Sequence, residues 1–193
     1  AGAISVYNGK GATPVEAERI TFQWIAPINE PQIAWNETSG QEGCTYGNRD
    51  MVQLIMALRD QMDLHGLADR TNILAPESNT YWAVSDFDFI AGIQFGAAYG
   101  DYMDELAGYQ EISPYLGNVV CAHAYGSALL DGVMVPIRER LRKKLDEYPG
   151  WRFWQSEYCV MDGPNRESGG GRDLTMTTAL WVARLMHCDL TIV

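Results

Sequence analysis

Two stretches far apart in the chain carry residues that could do acid–base or nucleophilic work. Ile25-Ala26-Pro27-Ile28-Asn29-Glu30-Pro31 and Phe153-Trp154-Gln155-Ser156-Glu157-Tyr158 each read as a short apolar, aromatic-rich strand that ends on a carboxylate. Such strands are marked by β-branched and aromatic residues closed by a turn residue, and Pro31 and Gly163-Pro164 supply the closures. Paired glutamates at separate strand tips suit cleavage of a glycosidic bond. One carboxyl protonates the leaving oxygen, and the other attacks or activates water. On pattern alone, a glutamate at a strand end is more often a solvated loop residue.

The surrounding residues sharpen this. Asn29-Glu30-Pro31-Gln32 is followed by Ser39-Gly40-Gln41-Glu42-Gly43-Cys44, Leu74-Ala75-Pro76-Glu77-Ser78, Cys121-Ala122-His123-Ala124-Tyr125 and Trp154-Gln155-Ser156-Glu157-Tyr158. In order and spacing this string resembles family 30 of the glycoside hydrolases, within the clan of retaining TIM-barrel glycosidases. The resemblance implies that Glu30 is the general acid/base and Glu157 the nucleophile. It also implies an α/β fold, part of a (β/α)8 TIM barrel in which residues 1–193 form a partial catalytic domain. In its terms the strands here are numbers four to seven and the start of eight.

The other candidates follow from the same placement. In a barrel the C-terminal strand ends meet on one face, so Glu30, Glu77, His123, Tyr125 and Glu157 are expected in one pocket. Retention needs the two catalytic carboxyls roughly 5 Å apart. A catalytic acid must also keep its proton near neutral pH, which a second carboxylate nearby assists. By resemblance Asn29 contacts the sugar 2-hydroxyl and Tyr125 orients the nucleophile; read by itself, Asn29 is equally a turn former before Pro31. His123 is either a polar contact in the cleft or a hydrogen-bonded core imidazole. Glu77 binds substrate or tunes its neighbours, and a third carboxylate is costly unless paired or solvated. Trp35, Trp82, Trp154 and Tyr158 are candidates for contact with sugar, with Trp35 and Trp82 the better placed because they lie in loops after strands. Trp24 reads as core, and Gln41 and Glu42 are weaker loop candidates.

The elements that must position these residues alternate. Residues 21–29 predict a strand, 32–47 a long loop, and 48–65 a helix with Asn48 as its cap. Met51, Leu54, Ile55, Leu58 and Met62 give that helix its apolar stripe. A strand follows at 71–75, a helix at 86–107 with Asp86 as candidate cap, and a near-continuously apolar strand at 117–124. Then come a charged amphipathic helix at 135–148, a strand at 151–158, a helix at 174–186 and the start of a strand at 189–193. Residues 1–14 read as loop, and Gly9-Lys10-Gly11 lacks the ending of a phosphate loop. Strands alternating with helices mean parallel strands, but periodicity alone leaves a barrel and an open doubly wound sheet both standing.

Composition removes several classes. The 193 residues are 47% hydrophobic, enough for a real core in one domain or at most two. A net charge of −11 argues against nucleic acid as a partner, since phosphates are gripped by Lys and Arg. No apolar run approaches the ~18 residues of a membrane span, and no signal-peptide pattern opens this chain. His65, His123 and His187 fall in different elements and no cysteines form a CxxC pair, so no metal or cofactor is expected. Cys44 and Cys159 follow strands closely enough to pair, although free thiols fit as well, and Gly169-Gly170-Gly171 reads as a loop over the cleft.

The function implied is hydrolysis of a β-linked poly- or oligosaccharide by double displacement, outside the cytoplasm (secreted or periplasmic). Substrates in the family include β-1,6-galactan and glucan, xylan, β-fucosides and glucosylceramide, and the Gln-Glu-Gly-Cys loop leans towards β-1,6-galactan. Two other classes stay open: a non-catalytic carbohydrate-binding protein, and an inactive segment that needs the missing parts of its own barrel as a partner.

Overall fold

Parallel pairing with helical crossovers is what the alternation of apolar runs and amphipathic stretches predicts, and the computed structural model has it. It describes residues 21–39, 43–127, 131–164, 166–167 and 169–193; the expectations for 1–14, Gln41 and Glu42 lie outside them. The order is β1 (Trp24–Ile25), α1 (Asn48–Leu64), β2 (Asn72–Ile73), α2 (Trp82–Ser85), α3 (Phe89–Phe95), α4 (Tyr102–Ala107), a 3-10 turn (Ser113–Leu116), β3 (Val119–His123), α5 (Asp131–Asp146), β4 (Arg152–Glu157) and α6 (Met176–Ile192).

The strands follow one another in space as they do in sequence. β1 pairs with β2, and β3 with β4, all parallel. Backbone bonds beyond β2 join the two pairs: the Cys121 amide donates to the Ala75 carbonyl and the His123 amide to that of Ser78. The run is curled rather than flat, because Trp24 on β1 meets Trp154 on β4 with ring centroids 4.8 Å apart. That curl draws the tips of the outermost strands together.

β3 is buried along its whole length, as its unbroken apolar sequence predicts. Helices cover its outer side. α1 lays Met51, Val52, Ile55 and Met62 into the core, each buried aliphatic side chain contributing about 1.5–3 kcal/mol. α5 adds Met134, Ile137 and Leu141, spaced for one face. α5 and α6 are joined by charge as well: Arg138, fully buried, donates from Nε to Asp189 Oδ1 at 2.6 Å, and the Tyr81 hydroxyl donates to Asp189 Oδ2 at 3.1 Å.

Several expectations are corrected. Strand geometry at the first tip is confined to Trp24–Ile25, with Pro27 and the turn at Glu30–Pro31 ending it. The single helix expected over 86–107 is two short ones, α3 and α4, with α2 lying before it. Gly96 ends α3 in the left-handed region, and at Gly100 a side chain would meet the Asp86 carbonyl at 2.3 Å. Capping belongs to Asp88, whose carboxylate accepts from the Ala91 amide, and not to Asp86. Asn48 is not the cap of α1; Gly47 is, and the Asn48 side chain donates from Nδ2 to the Gly100 carbonyl at 2.8 Å instead. α5 begins earlier than expected, at Asp131. The strand expected at 189–193 is the end of α6, since no Gly or Pro stops the helix and the Arg138 ion pair holds Asp189 on it. All four cysteines are free, with Cys44 exposed and Cys159 half-buried.

Candidate active site

Glu30 and Glu77 end the first two strand segments in the same unusual way. Both have a left-handed backbone, φ 44° and 53°, a conformation that costs a non-glycine residue and clusters at functional sites. Their backbones are tied, the Glu30 amide donating to the Glu77 carbonyl at 2.8 Å. Around the turn after Glu30, the Trp35 indole Nε1 donates to the Glu30 carbonyl at 3.0 Å. Trp35 is pressed on Gly43, where any Cβ would fall 2.4 Å from the ring. Asn29 precedes Glu30 and is half-buried.

Glu157 reaches the same place by a different device. Cys121 pairs with Trp154 and Ala122 with Gln155, but His123 pairs with Glu157, so Ser156 is an extra residue in β4. Side chains alternate along a strand, so without this bulge Glu157 would face away from His123. With it, Ser156 and Glu157 both reach the cluster: the Ser156 hydroxyl donates to Glu77 Oε2, and Glu157 Oε1 lies 3.7 Å from His123 Nδ1.

His123 is the hub. Only 1% exposed, its Nδ1 lies 2.8 Å from Glu30 Oε1 and its Nε2 3.2 Å from Glu77 Oε2. An imidazolium can donate from both nitrogens at once. Burial alone lowers its pKa, but the hydrogen bonds to Glu30 and Glu77 and the charge of Glu157 outweigh that and raise it to about 9. One positive charge thus faces three carboxylates, which answers the cost expected of a third acid. Glu30 and Glu77 side chains are 12% and 11% exposed and Glu157 is 53% exposed, so Glu157 is the carboxylate that solvent or a ligand meets first.

Tyr125 completes the wall. Its hydroxyl donates to Glu157 Oε1 at 3.1 Å and lies 3.6 Å from Cys159 Sγ. Burial, together with Cys159 and the charge of Glu157, pushes its pKa up, which keeps it a donor. Tyr158 stacks on Tyr125 with centroids 5.6 Å apart, and its hydroxyl accepts from the Trp181 indole of α6 at 2.9 Å.

Glu30, Glu77, His123, Tyr125 and Glu157, expected in one pocket, are therefore contiguous, with Trp35 and Tyr158 beside them. Trp154 lies lower on β4 against Trp24. Trp82 is turned to α5, the Arg140 guanidinium stacked on it 4.6 Å from the ring centre, and it lines a groove with Pro136 and Lys143. Sequence reasoning did not single out Ser156 or Trp181, and it named Cys159 only as a thiol that could pair with Cys44. Ser156 and Cys159 flank a glutamate already marked, but Trp181 comes from a separate helix and leaves no local signal. One ligand-type atom from each of Glu30, His123 and Glu157 falls within 4.8 Å of the others, close enough for a cation, yet both nitrogens of the ring already face carboxylates.

Residues 3–193 match the family model described as O-Glycosyl hydrolase family 30. Among solved structures, a conserved exported protein from Bacteroides fragilis is similar at TM-score 0.69 and 27% identity, covering 91% of this chain and 36% of its own. A family 30 subfamily 8 xylanase, Xyn30A from Clostridium acetobutylicum, shares the fold at TM-score 0.53 and 16% identity, over 99% of this chain and 37% of its own. The chain thus spans little more than a third of either structure. No curated protein matches it.

Proposed function

Since the chain belongs to O-glycosyl hydrolase family 30, we propose that its strand tips form the catalytic centre of a retaining β-glycoside hydrolase. The observation that carries this reading is the approach of Glu30 and Glu157, with a carboxylate oxygen of each within 4.8 Å of the other. Retaining enzymes hold their two carboxyls ~5–5.5 Å apart, whereas inverting ones leave room for a water between them.

In the first step Glu157, the exposed carboxylate, attacks the anomeric carbon while Glu30 gives its proton to the departing oxygen. The bond to the leaving sugar breaks and an ester to Glu157 forms. Glu30, now charged, faces the His123 Nδ1–H, which stabilises it. In the second step Glu30 takes a proton from water, the water oxygen bonds the anomeric carbon, and Glu157 departs as carboxylate. Tyr125 keeps Glu157 Oε1 in place through its hydroxyl. Glu77 holds the far side of His123, and Asn29 reaches the sugar 2-hydroxyl. Trp35 and Tyr158 border the sugar; Trp82 and Trp154 contribute at more distant positions. The two steps use no cofactor.

The substrate is a β-linked polysaccharide or oligosaccharide, β-1,6-galactan or a related glycan, met outside the cytoplasm by a secreted or periplasmic enzyme. The exported relative and the absence, among the described residues, of a helix long and apolar enough to cross a membrane fit that setting. The remaining βα units of a (β/α)8 barrel are the partner of this segment. Two observations favour that: this chain spans little more than a third of either solved structure, and β4 keeps Arg152, Gln155, Ser156 and Glu157 exposed. A segment active only with those units is the second reading. Hydrolysis of aryl β-galactoside, glucoside, xyloside and fucoside by wild type and Glu157→Gln is the test. Cleavage of one substrate, lost by orders of magnitude in the variant, is expected; equal rates for both proteins would sink the assignment.

A further inference from the structure

The loop after β4 turns back over the wall formed by Tyr125 and Tyr158, and adjacent side chains on it grip two different elements. Its base is a bridge between Met161 and Arg172, and Gly169 and Gly171 lie so near the Asp162 carboxylate that any Cβ would come within 2.1 and 2.6 Å of it. At its outer end, the Arg166 guanidinium stacks 5.3 Å from the centre of the Trp181 ring, the indole that donates to Tyr158. The next residue, Glu167, turns the other way and accepts from the Gly126 amide through Oε2 at 2.7 Å. Gly126 directly follows Tyr125 and has a left-handed backbone, φ 69°.

We propose that Glu167 is a positioning residue, whose bond to the Gly126 amide holds Tyr125 where its hydroxyl meets Glu157. The inference rests on the reading of Glu157 as nucleophile. The Tyr125 ring is packed between Tyr158 and His123, with centroids 5.6 and 6.0 Å away, which holds its side-chain torsions, so its oxygen moves with its backbone and the anchor on residue 126 governs the 3.1 Å contact to Glu157. The anchor is strong for its size, since a carboxylate accepting a backbone N–H makes a charge-assisted bond. Partial burial pushes the Glu167 pKa up, and the Gly126 amide opposes that. Arg166 and Glu167 thereby fix Tyr158 and Tyr125 from the same turn, and the stacked tyrosines move as one wall.

Glu167→Met keeps length and removes the acceptor, while Glu167→Gln keeps an acceptor. Cys159, whose sulfur lies 3.6 Å from the Tyr125 hydroxyl, reports the position of Tyr125 without any turnover. Alkylation by iodoacetamide, mapped by peptide mass spectrometry, uses exposed Cys44 as reference and buried Cys121 and Cys188 as folding controls. In Glu167→Met, Cys159 should react roughly tenfold faster while Cys121 and Cys188 stay protected, with Gln near wild type. On an aryl β-glycoside that the wild type cleaves, kcat should fall roughly tenfold in Met with KM little changed, and recover in Gln. An unchanged Cys159 rate in Met, a Gln variant that behaves like Met, or exposure of all four thiols would each overturn the proposal. A wild type inert on every glycoside sinks the nucleophile reading but leaves the thiol result to decide the role of Glu167.

Discussion

A single imidazole facing three carboxylates makes His123 the residue on which the charge of the cleft turns. Its folded pKa of about 9 lies above the usual 6.5, so its charge stabilises the fold fully below pH 6.5 and less as pH rises through about 9. The rise corresponds to roughly 3 kcal/mol. Urea unfolding of wild type and His123→Asn at pH 6 and pH 9.5 should show the gap between them shrinking by about that amount; a gap that does not change with pH contradicts the charge assignment. Ser156→Ala, which deprives Glu77 Oε2 of a donor, should cost about 1–3 kcal/mol in the same assay. At this scale the chain was legible in part. The Glu30, Glu77, His123, Tyr125 and Glu157 positions stand out as residues, but that His123 is both core imidazole and cleft contact follows only from which carboxylates the strands deliver to its two nitrogens.

At the scale of elements, local pattern and tertiary contact compete. Where they agree, as in α1 and β3, the sequence reads true. Where they differ, long-range partners win. The β-branched ending Thr191-Ile192-Val193 suggests a strand, yet Asp189 is held on α6 by Arg138, a side chain with no exposure. Asp189→Ala leaves that guanidinium buried without its carboxylate and should cost about 3–5 kcal/mol by urea unfolding, far more than an exposed pair. A loss under ~1 kcal/mol, the value of a surface pair, would contradict the burial argument. The bulge at Ser156 was equally hidden, because an extra residue changes register without changing composition. In the same way, two helices replace one over 86–107 through Gly96 and Gly100, whose backbone conformations no periodicity reveals.

At the scale of the whole molecule, exposed apolar side chains gather on and before one helix. Leu174, Met176, Leu180 and Leu190 on and before α6 are 89%, 74%, 65% and 82% exposed, large apolar side chains of the kind that mark contact surfaces when they gather. Light scattering at micromolar concentrations should therefore show self-association, reduced by Leu180→Gln with Leu190→Gln; a monomer unaffected by these changes would contradict an apolar face awaiting a partner. Periodicity could not choose between barrel and open sheet. The curvature that brings Trp24 onto Trp154 and Glu30 beside Glu157 is a property of the assembled strands, and it is what the catalytic reading depends on. That reading is tested most directly by covalent trapping. Incubated with the 2-deoxy-2-fluoro analogue of the β-glycoside it cleaves, the wild-type chain should gain one glycosyl mass, mapped to Glu157, and Glu157→Gln should gain none. Turnover with no adduct, an adduct on another residue, or neither turnover nor adduct with galactose, glucose, xylose and fucose derivatives would contradict it.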